Sequence, residues 1–126
     1  MPKRILVVDD DADAVELLVF NLKQAGYAIG TAADGVEALI KARSLAPDLI
    51  LLDWMMPEMD GLAVCEVLRH EPATASIPII LLTAVSTELG RLAGLDSGAD
   101  AYITKPFSTK QLLAQIEELL SHKPAA

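Results

Sequence analysis

Acidic residues crowd one point of this sequence. Asp9, Asp10 and Asp11 stand in a row after a short apolar run, with Asp13 close behind. Asp53, Thr83 and Lys105 each follow another apolar run further along the chain. Two carboxylates about 4 Å apart repel by roughly 4 kcal/mol at an effective dielectric of about 20. A fold that gathered Asp9, Asp10 and Asp53 would therefore need compensation, and a hard divalent cation supplies it. All-oxygen ligation with few protein ligands suits Mg²⁺. Lys105 offers a compact positive charge that can meet an anion, and Thr83 adds a hydroxyl donor. Carboxylate, metal, ammonium and hydroxyl together describe a site that transfers or holds a phosphoryl group.

Such a site exists only if the chain brings these residues together, and the hydrophobic pattern says how it does so. Ile5-Leu6-Val7-Val8 is continuous rather than alternating, as in a strand buried on both faces. Leu49–Leu52, Ile79–Leu82 and Ala101–Thr104 read as further strands, and Ala28–Ala32 as a weaker one at or near a sheet edge. Between them lie amphipathic stretches. Val15, Leu18 and Leu22 recur at helical spacing over Asp13–Ala25, and Gly26 stops that helix. Asp34 caps a second helix with Glu37 as capping-box partner, and Pro47 enforces its break. A third runs from Gly61 through Leu62, Cys65 and Leu68 to the stop at Pro72. A fourth, Thr87–Asp96, is expected to bury Leu89, Leu92 and Ala93. Ser108 and Gln111 cap a fifth, with Leu112, Leu113, Ile116, Leu119 and Leu120 inward. Strand and helix thus alternate five times, which implies an α/β fold with a parallel sheet covered on both faces through right-handed crossovers. In such a doubly wound sheet, ligands bind beyond the carboxyl ends of the strands. Asp9, Asp10, Asp53, Thr83 and Lys105 all sit there.

Composition sets the outer limits. The 126 residues suit one domain, and 52% hydrophobic against 22% charged permits a real core rather than disorder. A net charge of −8 disfavours unassisted contact with nucleic acid or an anionic membrane. Cys65 is the single cysteine, which fits a reducing cytoplasm. No apolar run approaches the roughly 18 residues of a membrane span or forms a signal peptide. Residues 1–121 are expected to form the domain, and 122–126 a tail or a truncated linker.

These residues carry a resemblance. The chain resembles the receiver domain of bacterial response regulators of two-component signalling, close to the chemotaxis type, over essentially its whole length. The matching segments are Ile5–Asp10, Asp53 with Met56-Pro57 and Asp60-Gly61, Pro78–Ala84, and Gly98-Ala99-Asp100 through Lys105-Pro106-Phe107. The resemblance implies a flavodoxin-like five-stranded sheet of order 2-1-3-4-5. It also implies a phosphoacceptor switch, not an enzyme with an external substrate, that catalyses only its own phosphorylation and dephosphorylation. Asp53 would take a phosphoryl group from a phosphohistidine of a sensor histidine kinase or phosphotransfer protein. Asp10, Asp53 and the Met55 main-chain carbonyl would bind Mg²⁺, with Asp9 acting mainly through metal-bound water. Lys105, Thr83 and the backbone N–H groups of Trp54 and Ala84 would engage phosphoryl oxygens, and Lys105-Pro106 would be a cis peptide. Thr83 and Tyr102 would form the switch that reshapes the face of the fourth helix, fifth strand and fifth helix, where an output domain or target protein binds.

Three other readings of the same residues fit less well. A haloacid-dehalogenase-like phosphohydrolase also uses Asp, Mg²⁺, Thr or Ser, and Lys, and Asp9 and Asp11 give its D-x-D spacing. Asp13 stands where its Thr or Val belongs, however, no acidic pair follows Lys105, and Asp53 would have no task. A calcium loop fails because Ala14 replaces the needed glycine and Phe20 the bidentate Glu. A flavodoxin-type mononucleotide binder wants hydroxyls and glycines after the first strand, where three aspartates would repel phosphate. His70 and His122 lie near helix ends, where a cation is favoured. Ala101 and Gln115 replace an Asp and an Arg that pair in many dimeric DNA-binding regulators, so a monomer or weak dimer is expected, although Arg91 is present. A stand-alone receiver and one excised from a longer regulator both remain open.

Overall fold

The computed structural model describes residues 2–121, and the expected tail at 122–126, with His122, lies outside them. Five strands and five helices alternate along the chain: β1 (Arg4–Val8), α1 (Ala12–Gln24), β2 (Ala28–Ala32), α2 (Gly35–Leu45), β3 (Leu49–Asp53), α3 (Gly61–His70), β4 (Ile79–Thr83), α4 (Glu88–Asp96), β5 (Ala101–Thr104) and α5 (Thr109–Ser121). All pairings are parallel and the strand order is β2-β1-β3-β4-β5. This is the expected doubly wound topology, with the weak strand β2 at an edge.

Strand alternation divides the core in two. Leu6, Val8, Ile50, Leu52, Ile79 and Leu81 point to one face, where Ala38, Leu39 and Ala42 of α2 and Val64, Cys65 and Leu68 of α3 cover them. Ile5, Val7, Leu49, Leu51, Ile80 and Leu82 point to the other, against Leu18 and Leu22 of α1 and Leu112 and Ile116 of α5. The continuous aliphatic runs of β3 and β4 follow from this, since every residue of both strands is buried. Burying each such side chain contributes about 1.5–3 kcal/mol.

Side-chain caps set where the helices begin. Asp11 accepts from the Asp13 and Ala14 amides, Asp34 from Glu37, Asp60 from Ala63, Thr87 from Gly90 and Ser108 from Gln111. The Glu37 carboxylate pairs with Lys41 at 2.9 Å, so it serves the surface of α2. Gly26 turns the chain after α1 with φ 97°.

One helix departs from expectation. Leu89 is 82% and Leu92 49% exposed, Ala93 is exposed, and Gly94 is the buried residue of α4. Helical spacing of apolar residues marks a stripe, but it does not say whether the stripe faces the sheet or solvent.

Arg69, at the end of α3, ties the far edge together. Its guanidinium donates to the carbonyls of Gly98 (2.7 Å), Ala75 (3.1 Å) and Ile77 (2.7 Å), and pairs with Asp100 Oδ2 at 2.6 Å. The same Asp100 oxygen accepts from the Ile79 amide at 2.8 Å. Arg69→Ala takes the guanidinium from three carbonyls and the ion pair from Asp100, and is expected to lower unfolding stability by about 2–3 kcal/mol in urea melts; a loss under about 0.5 kcal/mol, the ordinary surface value, would contradict this role.

Candidate functional site

The parallel sheet delivers its carboxyl-end residues to one rim. Asp53 is the last residue of β3 and lies beside Leu82 of β4, while Asp9 follows β1 directly. Because β1 and β3 are neighbours, their terminal acids meet: one carboxylate oxygen from each of Asp9, Asp10 and Asp53 lies within 4.8 Å of the others. Asp9 and Asp53 are each only 4% exposed, whereas Asp10 is open to solvent.

Lys105 reaches the same point from the end of β5. Its Nζ stands 3.1 Å from Asp53 Oδ1 and 3.6 Å from Asp9 Oδ2. Lys105-Pro106 is a cis peptide. The Lys105 amide donates to the Thr83 carbonyl at 2.7 Å, which extends the β4–β5 ladder up to the site.

One ammonium does not balance three carboxylates. Burial, then the Asp9 charge, pushes the Asp53 carboxyl above its ordinary value, and Lys105 only partly opposes them. For Lys105, burial pulls the ammonium down, but its hydrogen bond to Asp53 and the charges of Asp53 and Asp9 outweigh it and hold the value up. Asp9 Oδ1 accepts from the Asp11 amide at 2.9 Å. Asp9 Oδ2 is buried and has no hydrogen-bond partner. Buried acceptors are almost always paired, so this orphaned oxygen, in a cluster left with two net negative charges, fits a divalent cation held by oxygen ligands.

A glycine missed as a reasoned feature of the sequence sits under the site. A Cβ on Gly61 would lie 2.7 Å from the Asp53 carbonyl oxygen and 2.8 Å from Trp54 Cα. The Gly61 amide donates to the Trp54 carbonyl at 2.9 Å, so α3 begins in direct contact with the turn that carries Asp53. Asp60-Gly61 was visible as a motif, but its reason is a tertiary close approach.

The remaining expected residues divide. Thr83 is fully buried, and its Oγ1 accepts from the Val85 amide at 3.1 Å. Ala84 is exposed at the mouth of β4, and Met55 is 64% exposed in the β3–α3 loop. Tyr102 is partly buried and its hydroxyl donates to the Val85 carbonyl. Its ring meets Trp54 edge-on, with centroids 6.2 Å apart. The expected role of the Trp54 amide needs correction, because that N–H donates to the Leu82 carbonyl at 3.1 Å. Strand pairing continues one residue past β3 and occupies it. His70 Nδ1 bonds the Glu66 carbonyl at its own helix end, remote in sequence from this rim.

The receiver-domain model of response regulators matches residues 5–117. The chain belongs to the response regulator receiver domain family. Among curated relatives, this receiver is 45% identical over 117 residues to the DNA-binding dual master transcriptional regulator RpaA of Synechocystis sp., covering 93% of this chain and 48% of that one. It is 46% identical over 126 residues to the alkaline phosphatase synthesis transcriptional regulatory protein PhoP of Bacillus subtilis, covering 100% and 52%. The chain thus spans about half the length of the curated relatives it matches. A response regulator structure from Chloroflexus aurantiacus superposes with a TM-score of 0.92 at 35% identity, covering 97% of this chain and 100% of that one. These matches give no support to a phosphohydrolase of the haloacid-dehalogenase type.

The charge imbalance makes the receiver's stability depend on pH. A carboxyl raised in the folded state binds more protons there than in the unfolded chain. Stability therefore falls as pH rises from the ordinary value of 3.8 through the raised one, and the deficit is fully present above it. In metal-free protein, Asp53→Asn is expected to raise the melting temperature by a few degrees above the raised value, with the gain shrinking as pH falls through it and gone below the ordinary value of 3.8. A variant less stable than wild type above the raised value would show that the Lys105 contact outweighs burial and repulsion.

Proposed function

We propose that Asp53 is the phosphoacceptor of this receiver. An Asp53 carboxylate oxygen attacks the phosphorus of a phosphohistidine on a sensor histidine kinase or phosphotransfer protein. The phosphorus–nitrogen bond breaks, the imidazole leaves, and Asp53 becomes an acyl phosphate. The observation that carries this reading is the buried Asp53 carboxylate, 3.1 Å from Lys105 and grouped with Asp9 and Asp10, beside an Asp9 Oδ2 that has no hydrogen-bond partner. Asp9, Asp10, Asp53 and the Met55 main-chain carbonyl would hold Mg²⁺. That ion would neutralise charge on the phosphoryl group and on the acids around it. Lys105 and the Thr83 hydroxyl would meet phosphoryl oxygens, with the Ala84 amide as a backbone donor.

The receiver works as a switch and turns over only its own phosphoryl group. Thr83, drawn to that group, would let Tyr102 turn and reshape the α4–β5–α5 face, shifting a population between two packings. That face would pass the signal to an output domain or target protein. RpaA, named as DNA-binding, is about twice as long, which favours an output module in the parent of this receiver. The domain itself would contact no nucleic acid and no membrane, and would work in the bacterial cytoplasm. No described helix is long and apolar enough to cross a membrane.

Acetyl phosphate with Mg²⁺ is expected to add one acid-stable, base-labile phosphoryl group that is lost in Asp53→Asn. Full labelling of that variant would remove Asp53 as the acceptor. With beryllofluoride, sedimentation is expected to find a monomer or weak dimer, since Ala101 and Gln115 cannot form the acid–arginine pair. A tight dimer on the α4–β5–α5 face would overturn that part.

A further inference from the structure

Strand β2 forms one margin of the sheet, and a margin is where another chain can add. Register shows which of its backbone groups are already engaged. The Ala28 amide donates to the Lys3 carbonyl, and the Ala32 carbonyl accepts from the Asp9 amide. Successive strand residues direct their backbone groups to alternate sides, so residues 28, 30 and 32 address β1. Ile29 and Thr31 therefore turn N–H and C=O outward, in a stretch that is partly exposed from Ala28 to Thr31.

The strand carries none of the usual protections of an edge. From Gln24 to Ala33 no residue is charged and none is proline, while Tyr27, Ile29 and Thr31 favour extended chain. The opposite margin, β5, is bracketed directly by Asp100 and Lys105. For β2, protection arrives from α2 instead. The Lys41 ammonium donates to the Thr31 carbonyl, and Glu37 Oε1, one turn earlier, holds that ammonium at 2.9 Å. One turn later, Leu45 covers Gly30, where a Cβ would come 2.7 Å from Leu45 Cδ1. Positions 37, 41 and 45 fall on one stripe of α2, so the helix keeps a cation and an apolar side chain along the strand.

We propose that Lys41 is a gatekeeper that closes the β2 edge to a second copy of this chain. The edge is self-complementary. Two β2 strands set antiparallel about a twofold axis at Gly30 would place Ile29 of one copy opposite Thr31 of the other. Residues so paired exchange both backbone hydrogen bonds. Each Ile29 N–H would then need the Thr31 carbonyl of the other copy, which is the oxygen Lys41 holds. To pair, both copies must strip the ammonium from it. Gly30 at the axis has no side chain to keep the two backbones apart.

Sedimentation equilibrium of the metal-free, unphosphorylated chain tests this. Lys41→Met keeps the apolar stem and deletes the ammonium, and is expected to tighten self-association by about tenfold or more. Net charge alone predicts the opposite sign, because the variant is more negative than the −8 of wild type. Unchanged or weaker association therefore overturns the gatekeeper. Lys41→Arg retains a donor for Thr31 and should sediment as wild type; association as tight as in Lys41→Met also overturns it. Amide exchange locates the contact. At residues 29 and 31 of Lys41→Met it should slow as protein concentration rises, whereas association that leaves both amides unchanged lies on another face and overturns the proposal. Should Lys41→Met not fold, Lys41→Ala frees the same oxygen and must show the same tightening and the same slowing. Asp53 takes no part in these measurements, so their outcome is independent of the phosphoacceptor reading.

Discussion

Three carboxylates and one ammonium at a largely buried rim are the constraint around which this receiver is arranged. The Asp53 carboxyl is raised by burial and by Asp9 even with Lys105 in contact, so the acid that would react is also one the fold strains to keep ionised. Repulsion of that kind persists only where the surrounding structure is rigid enough to impose it. The rigidity comes from β1, β3 and β4, whose central residues are buried on both faces and whose parallel register leaves their terminal side chains no freedom to separate. An excess of negative charge in a fixed frame is a standing attraction for a divalent cation and, once that is bound, for phosphate.

Contacts around the rim extend its influence outward. Gly61 lets α3 press directly on the Asp53 turn, and Trp54 lies on that turn against Tyr102. Tyr102 and Thr83 are in turn joined through Val85, which bears on α4. A change in charge at Asp53 therefore has an unbroken series of packed and hydrogen-bonded neighbours leading to a helix with little burial of its own. On the other side, Arg69 fastens the turn between α4 and β5 to α3, so the two ends of α4 are held differently.

The strands and the site acids were legible from sequence because both signals are local. Continuous aliphatic runs specify doubly buried parallel strands, and chemistry placed directly after each run must appear at the same sheet edge. The facing of α4 was not legible. Leu89, Leu92 and Ala93 have helical spacing, but Gly90 and Gly94 occupy the inward side, and a missing side chain leaves no hydrophobic mark. The roles of Arg69 and Gly61 depend on neighbours distant in sequence, as does the occupation of the Trp54 amide by Leu82. A one-dimensional pattern does not contain those contacts.

The account stands or falls on whether the gathered acids hold a divalent cation in common. Calorimetric titration of Mg²⁺ into wild-type and Asp10→Asn protein measures this directly, since Asp10 is exposed and its loss leaves the core untouched. Binding at one site, sharply weakened in the variant while its fold and melting behaviour are retained or improved, is the expected result. Equal affinity in the two proteins, or no binding to wild type, would contradict it.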